Sequence, residues 1–229
     1  MQSVLDFRLS HARARDAVLA PFDVEGMAGG FKAAGFATER IVTGVTDKKS
    51  YLMRPDLGRR LDAASRGKLK DCAEAWGRRD LVIIVSDGLA AHAAGRHAVE
   101  TVARLAELLT AAGWSLYPIL LAPFGRVKLQ DEVGELLGAR HALMLLGERP
   151  GLGTPDSLGA YLTHHPNAAC TDANRNCVSN IRPEGLPPAL AARKLAHLLM
   201  ESSRLGVSGV ALKDTAPVLA DEPPAPAKS

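Results

Sequence analysis

At 229 residues and a formal net charge of +3, the chain suits one or two domains and has too little excess charge to argue for a nucleic-acid partner. Hydrophobic residues at 47% and charged residues at 23% fit a globular protein with a core of ordinary size, and aromatics at 4% leave few stacking platforms for single-stranded nucleic acid. No apolar run reaches the roughly 18 residues of a membrane span.

The amino terminus, MQSVLDFRLSHARARDAV, has neither the apolar stretch nor the small-residue cleavage site of a signal peptide. It reads as a helix with Val4, Leu5, Leu9, Ala12 and Val18 on or near one face. A cytoplasmic chain is expected. Residues 1–78 form a smaller, mainly helical region broken at Gly29-Gly30 and Gly35, with a short strand within Ala37–Val45. Arg54-Pro55-Asp56 is expected to open a helix running toward Trp76, because Pro suits a first turn and Asp suits the positive end of the helix dipole. Gly77 is its expected stop.

From residue 79 to 212, apolar strand and helix signals alternate. Leu81–Val85 (LVIIV) is a continuous β-branched run, the mark of a strand buried on both faces. A helix over about Ala90–Ala112 carries Val99, Val102, Leu105 and Leu109 on one face and stops at Gly113. Ser115–Leu121 reads as a strand, Val127–Leu137 as a helix stopped by Gly138, and His141–Leu146 as a third strand. This βαβαβ order predicts an α/β fold with a mostly parallel, Rossmann-like sheet flanked by helices. Pro187–Leu205 adds a last helix with Leu190, Leu195, Leu198 and Leu199 as its contacts. Residues 213–229, rich in Pro, Ala and charge, are expected to be a disordered tail.

The chemistry-bearing residues admit plain readings as well as functional ones. Cys72, Cys170 and Cys177 are too few and odd in number for a disulfide framework, which points to a reducing compartment. His164 and His165 precede Cys170 and Cys177, but the spacing matches no common zinc pattern, and no metal site is expected. Ser86-Asp87-Gly88 could hold a nucleophile with His92 or His97 as base. It lacks the G-x-S-x-G context, so a strand-end turn with Asp87 capping the next helix is the favoured reading.

The loop Gly147-Glu148-Arg149-Pro150-Gly151-Leu152-Gly153 follows an apolar strand, where ligands of parallel α/β sheets bind. It is neither G-x-G-x-x-G nor a phosphate-binding GK[ST] loop. Its plain reading is a tight surface loop, with Glu148 solvated or paired to Arg149. Val127 is either the first core residue of its helix or an apolar contact for a ligand. Cys177 is either a structural thiol or a small, polarizable group for close approach.

These segments in this order, TDKKSYLMRPDLGRRLD (Thr46–Asp62), SDGL (Ser86–Leu89), GRVK, GERPGLG and NRNCVSNI, resemble the small subunit of adenosylcobalamin-dependent ethanolamine ammonia-lyase, from Leu5 to Pro188. The resemblance implies a carbon–nitrogen lyase of two chains that converts ethanolamine to acetaldehyde and ammonia by radical chemistry begun at the cobalt–carbon bond. It implies that the large subunit binds ethanolamine and that this chain completes the adenosylcobalamin site. Val127, Glu148 and Cys177 match the positions that contact the cofactor, and none of the chain's residues is assigned as catalytic. The motif D-x-H-x-x-G is absent, so cobalt is expected to keep its own dimethylbenzimidazole ligand. Some members carry a longer amino-terminal extension linked to packaging in bacterial microcompartments; this sequence is expected to lack that address. The alternative of another class is a stand-alone Rossmann-like nucleotide-binding protein.

Overall fold

A computed structural model of the chain describes residues 20–151 and 156–213, together with His11, Ala12, Asp16 and Val18. The first helix expected from the sequence is seen only at those four residues, all helical, and is otherwise outside the described residues. The tail over 214–229 is likewise outside them.

The described elements are α1 (Val24–Ala33), β1 (Thr38–Arg40), α2 (Lys48–Met53), α3 (Ala63–Trp76), β2 (Leu81–Ser86), α4 (Ala91–Ala111), β3 (Ile119–Leu121), α5 (Leu129–Leu137), β4 (His141–Gly147), β5 (Leu158–His164), β6 (Arg175–Ile181) and α6 (Pro188–Leu205). The strands form one sheet in the order β1-β3-β2-β4-β5-β6. β1, β3, β2 and β4 pair with one another in parallel. β5 pairs antiparallel to β4, and β6 antiparallel to β5. The sheet is therefore mixed, which corrects the expectation of a mostly parallel, Rossmann-like one. The cause is local. The chain leaving β4 returns directly as β5, whereas a parallel partner would require a crossover helix.

Three layers result. Leu81, Ile83 and Val85 point into one apolar core with Leu143, Leu145, Leu158, Ala160, Leu162 and Val178, covered by α1, α4 and α6. Val82 and Ile84 point into a second core with Leu120, Ala142, Met144, Leu129 and Val133, covered by α3 and α5. Every residue of β2 is buried, so the alternation of a strand places both of its sides in a core.

The two layers differ in reach. The principal helix contacts of β5 and β6 come from α4 and α6, on the first face. On the second face α5 packs on β4, and beyond it Leu146 and Tyr161 are only half-buried and Cys177 is exposed. The result is an open strip of sheet beside α5.

Turn chemistry sets the element ends. Gly77 and Gly138 close α3 and α5 at positive φ, as expected. The helix expected to run from Arg54 to Trp76 is instead divided. Arg54 ends α2, a 3₁₀ turn covers Leu57–Arg59, and Asp62 caps α3 by accepting the Ser65 N–H at 2.7 Å. Asp56 is engaged by Arg54 in a two-point ion pair rather than by a helix end. α5 begins at Leu129, two residues after Val127, with Gln130 N–H reaching Val127 C=O across the entering turn.

Candidate functional site

The carboxyl ends of β2, β3 and β4 lie side by side, and the loops that leave them interlock. Gly147 packs so tightly on the β2 loop that a Cβ there would run into the Ala90 backbone. Leu89 N–H donates to Gly147 C=O at 2.9 Å. A side chain at Gly147 would wedge these two loops apart.

Asp87 is the hub of the group, at 1% exposure. It accepts the Phe124 N–H at 2.7 Å, which ties the β2 end to the β3 loop. Lys48 reaches it at 3.2 Å and also donates to Gly88 C=O at 2.9 Å. Ser86 Oγ accepts the Gly125 N–H at 2.9 Å and contacts Asp87 Oδ1 at 3.2 Å. Two sequence readings change here. Asp87 does not cap α4, whose cap residue Ala90 has no side-chain bond. Ser86 is engaged by backbone and by Asp87, not by His92 or His97. His97 lies instead 4.0 Å from Asp156.

The segment Thr46–Asp62 explains itself in the same frame. Asp47 caps α2 through the Ser50 N–H, which aims Lys48 inward. Tyr51 is buried, with Lys48 at 4.9 Å and Arg126 at 3.9 Å from its ring. Burial pushes its phenol up to about 12, with the Arg126 charge opposing the shift. Arg126 also donates to Tyr51 C=O, and its own N–H donates to Gly58 C=O. The residue just before Val127 is thus held from α2 and from the turn after it. Val127 itself is half-buried at the head of α5, the helix on the second face.

Glu148 and Cys177 approach the same face from the other side. Ala142, Met144 and Leu146 alternate onto it along β4, and Glu148 is the next residue in that alternation. The Glu148 N–H donates to Ser157 C=O at 3.0 Å, which continues the β4–β5 ladder by one rung. Its carboxylate Oε2 accepts the Ser157 hydroxyl at 2.7 Å and the Asn180 N–H at 3.1 Å. Met144, Tyr161 and Cys177 stand abreast on β4, β5 and β6. Residues abreast in a ladder share a face. Burial raises the Tyr161 phenol, and the neighbouring Cys177 and Glu148 raise it further. The Cys177 thiol is also raised, first by burial, while its hydrogen bond with Tyr161 opposes and Glu148 adds to the shift. Cys177 is reachable by solvent, yet enough protein rings its sulfur to disfavour the thiolate. It rests as a neutral thiol, suited to van der Waals contact rather than to nucleophilic attack.

The structure thus places Glu148, Tyr161 and Cys177 on one face of the sheet, and Val127 lies at the head of the helix that packs on that face. Sequence reasoning missed Tyr161, Ser157 and the Lys48–Asp87 pair. The alternation Leu158, Ala160, Leu162 was the one local sign that Tyr161 faces the other way.

After β4 the next element among the described residues is the antiparallel strand β5, not a helix whose amino terminus could bind phosphate as in nucleotide sites. Among the described residues, no three His, Cys, Asp or Glu side chains are grouped to hold a metal ion, and no helix is long and apolar enough to cross a membrane.

Comparison with known proteins bears on the same segments. The family described as ethanolamine ammonia-lyase light chain matches residues 1–213. An ethanolamine ammonia-lyase small subunit of Azotobacter vinelandii is 51% identical over 215 residues, which span 93% of this chain and 80% of that protein. One of Ralstonia nicotianae is 51% identical with the same coverage. One of Pseudomonas aeruginosa is 48% identical over 223 residues, 97% of this chain and 82% of the relative.

Proposed function

The chain belongs to the ethanolamine ammonia-lyase light-chain family, and from that premise we propose that its open sheet face is its half of an adenosylcobalamin site completed by the large subunit. Val127, Glu148 and Cys177 are the proposed contacts. The observation that carries this reading is the common face. Residues 21 and 29 positions apart in the chain, 148 − 127 and 177 − 148, approach one side of the sheet beside α5.

The residues fit such a group. A corrin is a broad ring with an apolar surface and a rim of amide side chains. Leu146 and Tyr161 offer a half-buried floor, and Cys177 is small and neutral on the outer strand. Glu148 offers a fixed carboxylate, an acceptor for the N–H groups of rim amides. When bound, the cofactor supplies the radical chemistry. The chain's own residues orient the ring, cover one part of it, and exclude water there. No proton transfer is assigned to them. Residues up to about 78 brace the strand ends through Lys48, Tyr51 and Gly58, and residues 79–212 carry the binding face.

Glu148→Ala in the co-expressed two-subunit complex tests the site. Loss of one charged acceptor against partly buried amides weakens cofactor binding by about 1.5–3 kcal/mol, roughly tenfold or more. Turnover at saturating cofactor changes less, since the reacting groups are assigned to the large subunit. A titration with unchanged cofactor affinity removes Glu148 from the site.

A further inference from the structure

We propose that Ser157 and Gly159 are positioning residues that hold Glu148 in its working rotamer, and that Glu148 meets its ligand through Oε1. The inference rests on the reading of Glu148 as a cofactor contact. A glutamate at the end of a strand has three side-chain torsions, and ordering them opposes binding unless the fold has already done so. Here the fold has done so on one oxygen only. Ser157, at 6% exposure, donates its hydroxyl to Oε2 and accepts the Glu148 N–H with its carbonyl, so the two residues are linked twice.

The second donor to Oε2 comes from an unusual backbone. Asn180 has φ +58°, the left-handed region that Asn tolerates better than most residues. It lies where the pairing of β6 with β5 shifts register, and there its N–H donates to the carboxylate. Its side chain is tied in turn by Arg182 Nε at 3.0 Å. Among the described residues, the hydrogen bonds to this carboxylate all arrive at Oε2. Among the same residues Oε1 receives no hydrogen bond, which leaves its lone pairs to a donor from outside.

Gly159 decides where Oε1 lies. It sits inside β5, opposite Leu146. A Cβ there would stand 2.9 Å from Oε1 and 3.1 Å from Cγ of Glu148. A glycine inside a strand weakens the strand and marks a place of close approach. Here the thing that approaches is the Glu148 side chain, laid across the missing side chain toward the open face. The ligand group that fits is an N–H donor at the edge of a flat molecule, not an anion.

The experiment is a double-mutant cycle on the two-subunit complex, read as the adenosylcobalamin dissociation constant by spectral titration. Ser157→Ala is expected to weaken binding about 3–10-fold and Glu148→Ala tenfold or more, while the double variant binds no worse than Glu148→Ala alone within about twofold. Ser157→Thr, which keeps the hydroxyl, is expected to bind as the unmodified complex does. Gly159→Ala should lose affinity in the same coupled way. Thermal melting of each complex shows whether the fold persists. If Ser157→Ala binds normally, or if its effect adds in full to that of Glu148→Ala, the positioning role is wrong although the cofactor site stands. If Glu148→Ala itself leaves affinity unchanged, the reading of Glu148 as a contact falls, and this inference with it.

Discussion

Lys48→Met would show what holds the strand ends together. Met keeps most of the volume and removes the charge that faces Asp87 at 3.2 Å. Asp87 is 1% exposed and Lys48 17%, so the pair is nearly buried. Breaking a buried pair by removing one partner costs about 3–5 kcal/mol, because the remaining charge has no counterion. Two features reduce that here. Lys48 retains some contact with water, and the Phe124 N–H at 2.7 Å and the Ser86 hydroxyl at 3.2 Å still serve the carboxylate. A loss of about 2–4 kcal/mol is therefore expected, or roughly 4–16 °C in melting temperature for a chain of this size. Differential scanning calorimetry of the complex is the assay. Adding Asp87→Asn should return part of the loss, since the amide still accepts the Phe124 N–H and carries no unpaired charge. A melting temperature for Lys48→Met within about 1 °C of the unmodified protein would refute the claim that this pair clamps the loops.

Other consequences can be measured separately. His141 is 0% exposed, and burial is the main cause that holds its imidazole down to about 3, with His164, Arg140 and His165 adding to the shift and Asp80 opposing it. An unfolded imidazole titrates near ~6.5, so the stability that depends on a neutral His141 is complete above that pH and is lost as pH falls toward 3, by at most about 1.4 kcal/mol per pH unit. His141→Gln should flatten that acid limb of the stability curve, and an NMR titration of His141 with an ordinary midpoint would contradict this account. Since Ser202 Oγ donates to Val207 C=O at 2.7 Å, its contact with His141 Nε2 at 3.1 Å requires the Nε2–H tautomer, which nitrogen chemical shifts report. Two glycine substitutions should act in opposite directions. Gly147→Ala drives a Cβ into the Ala90 backbone and should destabilise the chain by several kcal/mol. Gly67→Ala, at an exposed position in α3 with nothing within 4 Å, should stabilise it by about 0.5–1 kcal/mol in denaturant unfolding. Made alone, the chain should show poor solubility or no deamination, and full ethanolamine deamination by it alone with adenosylcobalamin would overturn the shared-site reading.

The elements that the sequence determined by itself are those whose signal is local and whose burial is complete. LVIIV is legible as β2 because both of its faces meet a core, so no position has to be polar. The helix stops at Gly77 and Gly138 are legible because a positive φ selects glycine whatever surrounds it. β5 and β6 were not legible for the opposite reason. LGAYLTH and RNCVSNI place Gly159, Tyr161, Asn176 and Cys177 on strands with one incompletely covered face, so the apolar pattern is diluted. Their antiparallel pairing, and with it the mixed sheet, follows from the direct return after β4 and can be read only once both segments are known to be strands. Val127, Glu148 and Cys177 are legible through motifs that resemble a family, and Glu148 also through its place after an apolar strand. That Glu148 is gripped by Ser157 and Asn180, and that Lys48 meets Asp87 from 39 residues away, only the tertiary structure decided. Hydrogen bonds and ion pairs between distant segments leave no periodicity in the chain; they exist only once the strand ends have been brought together.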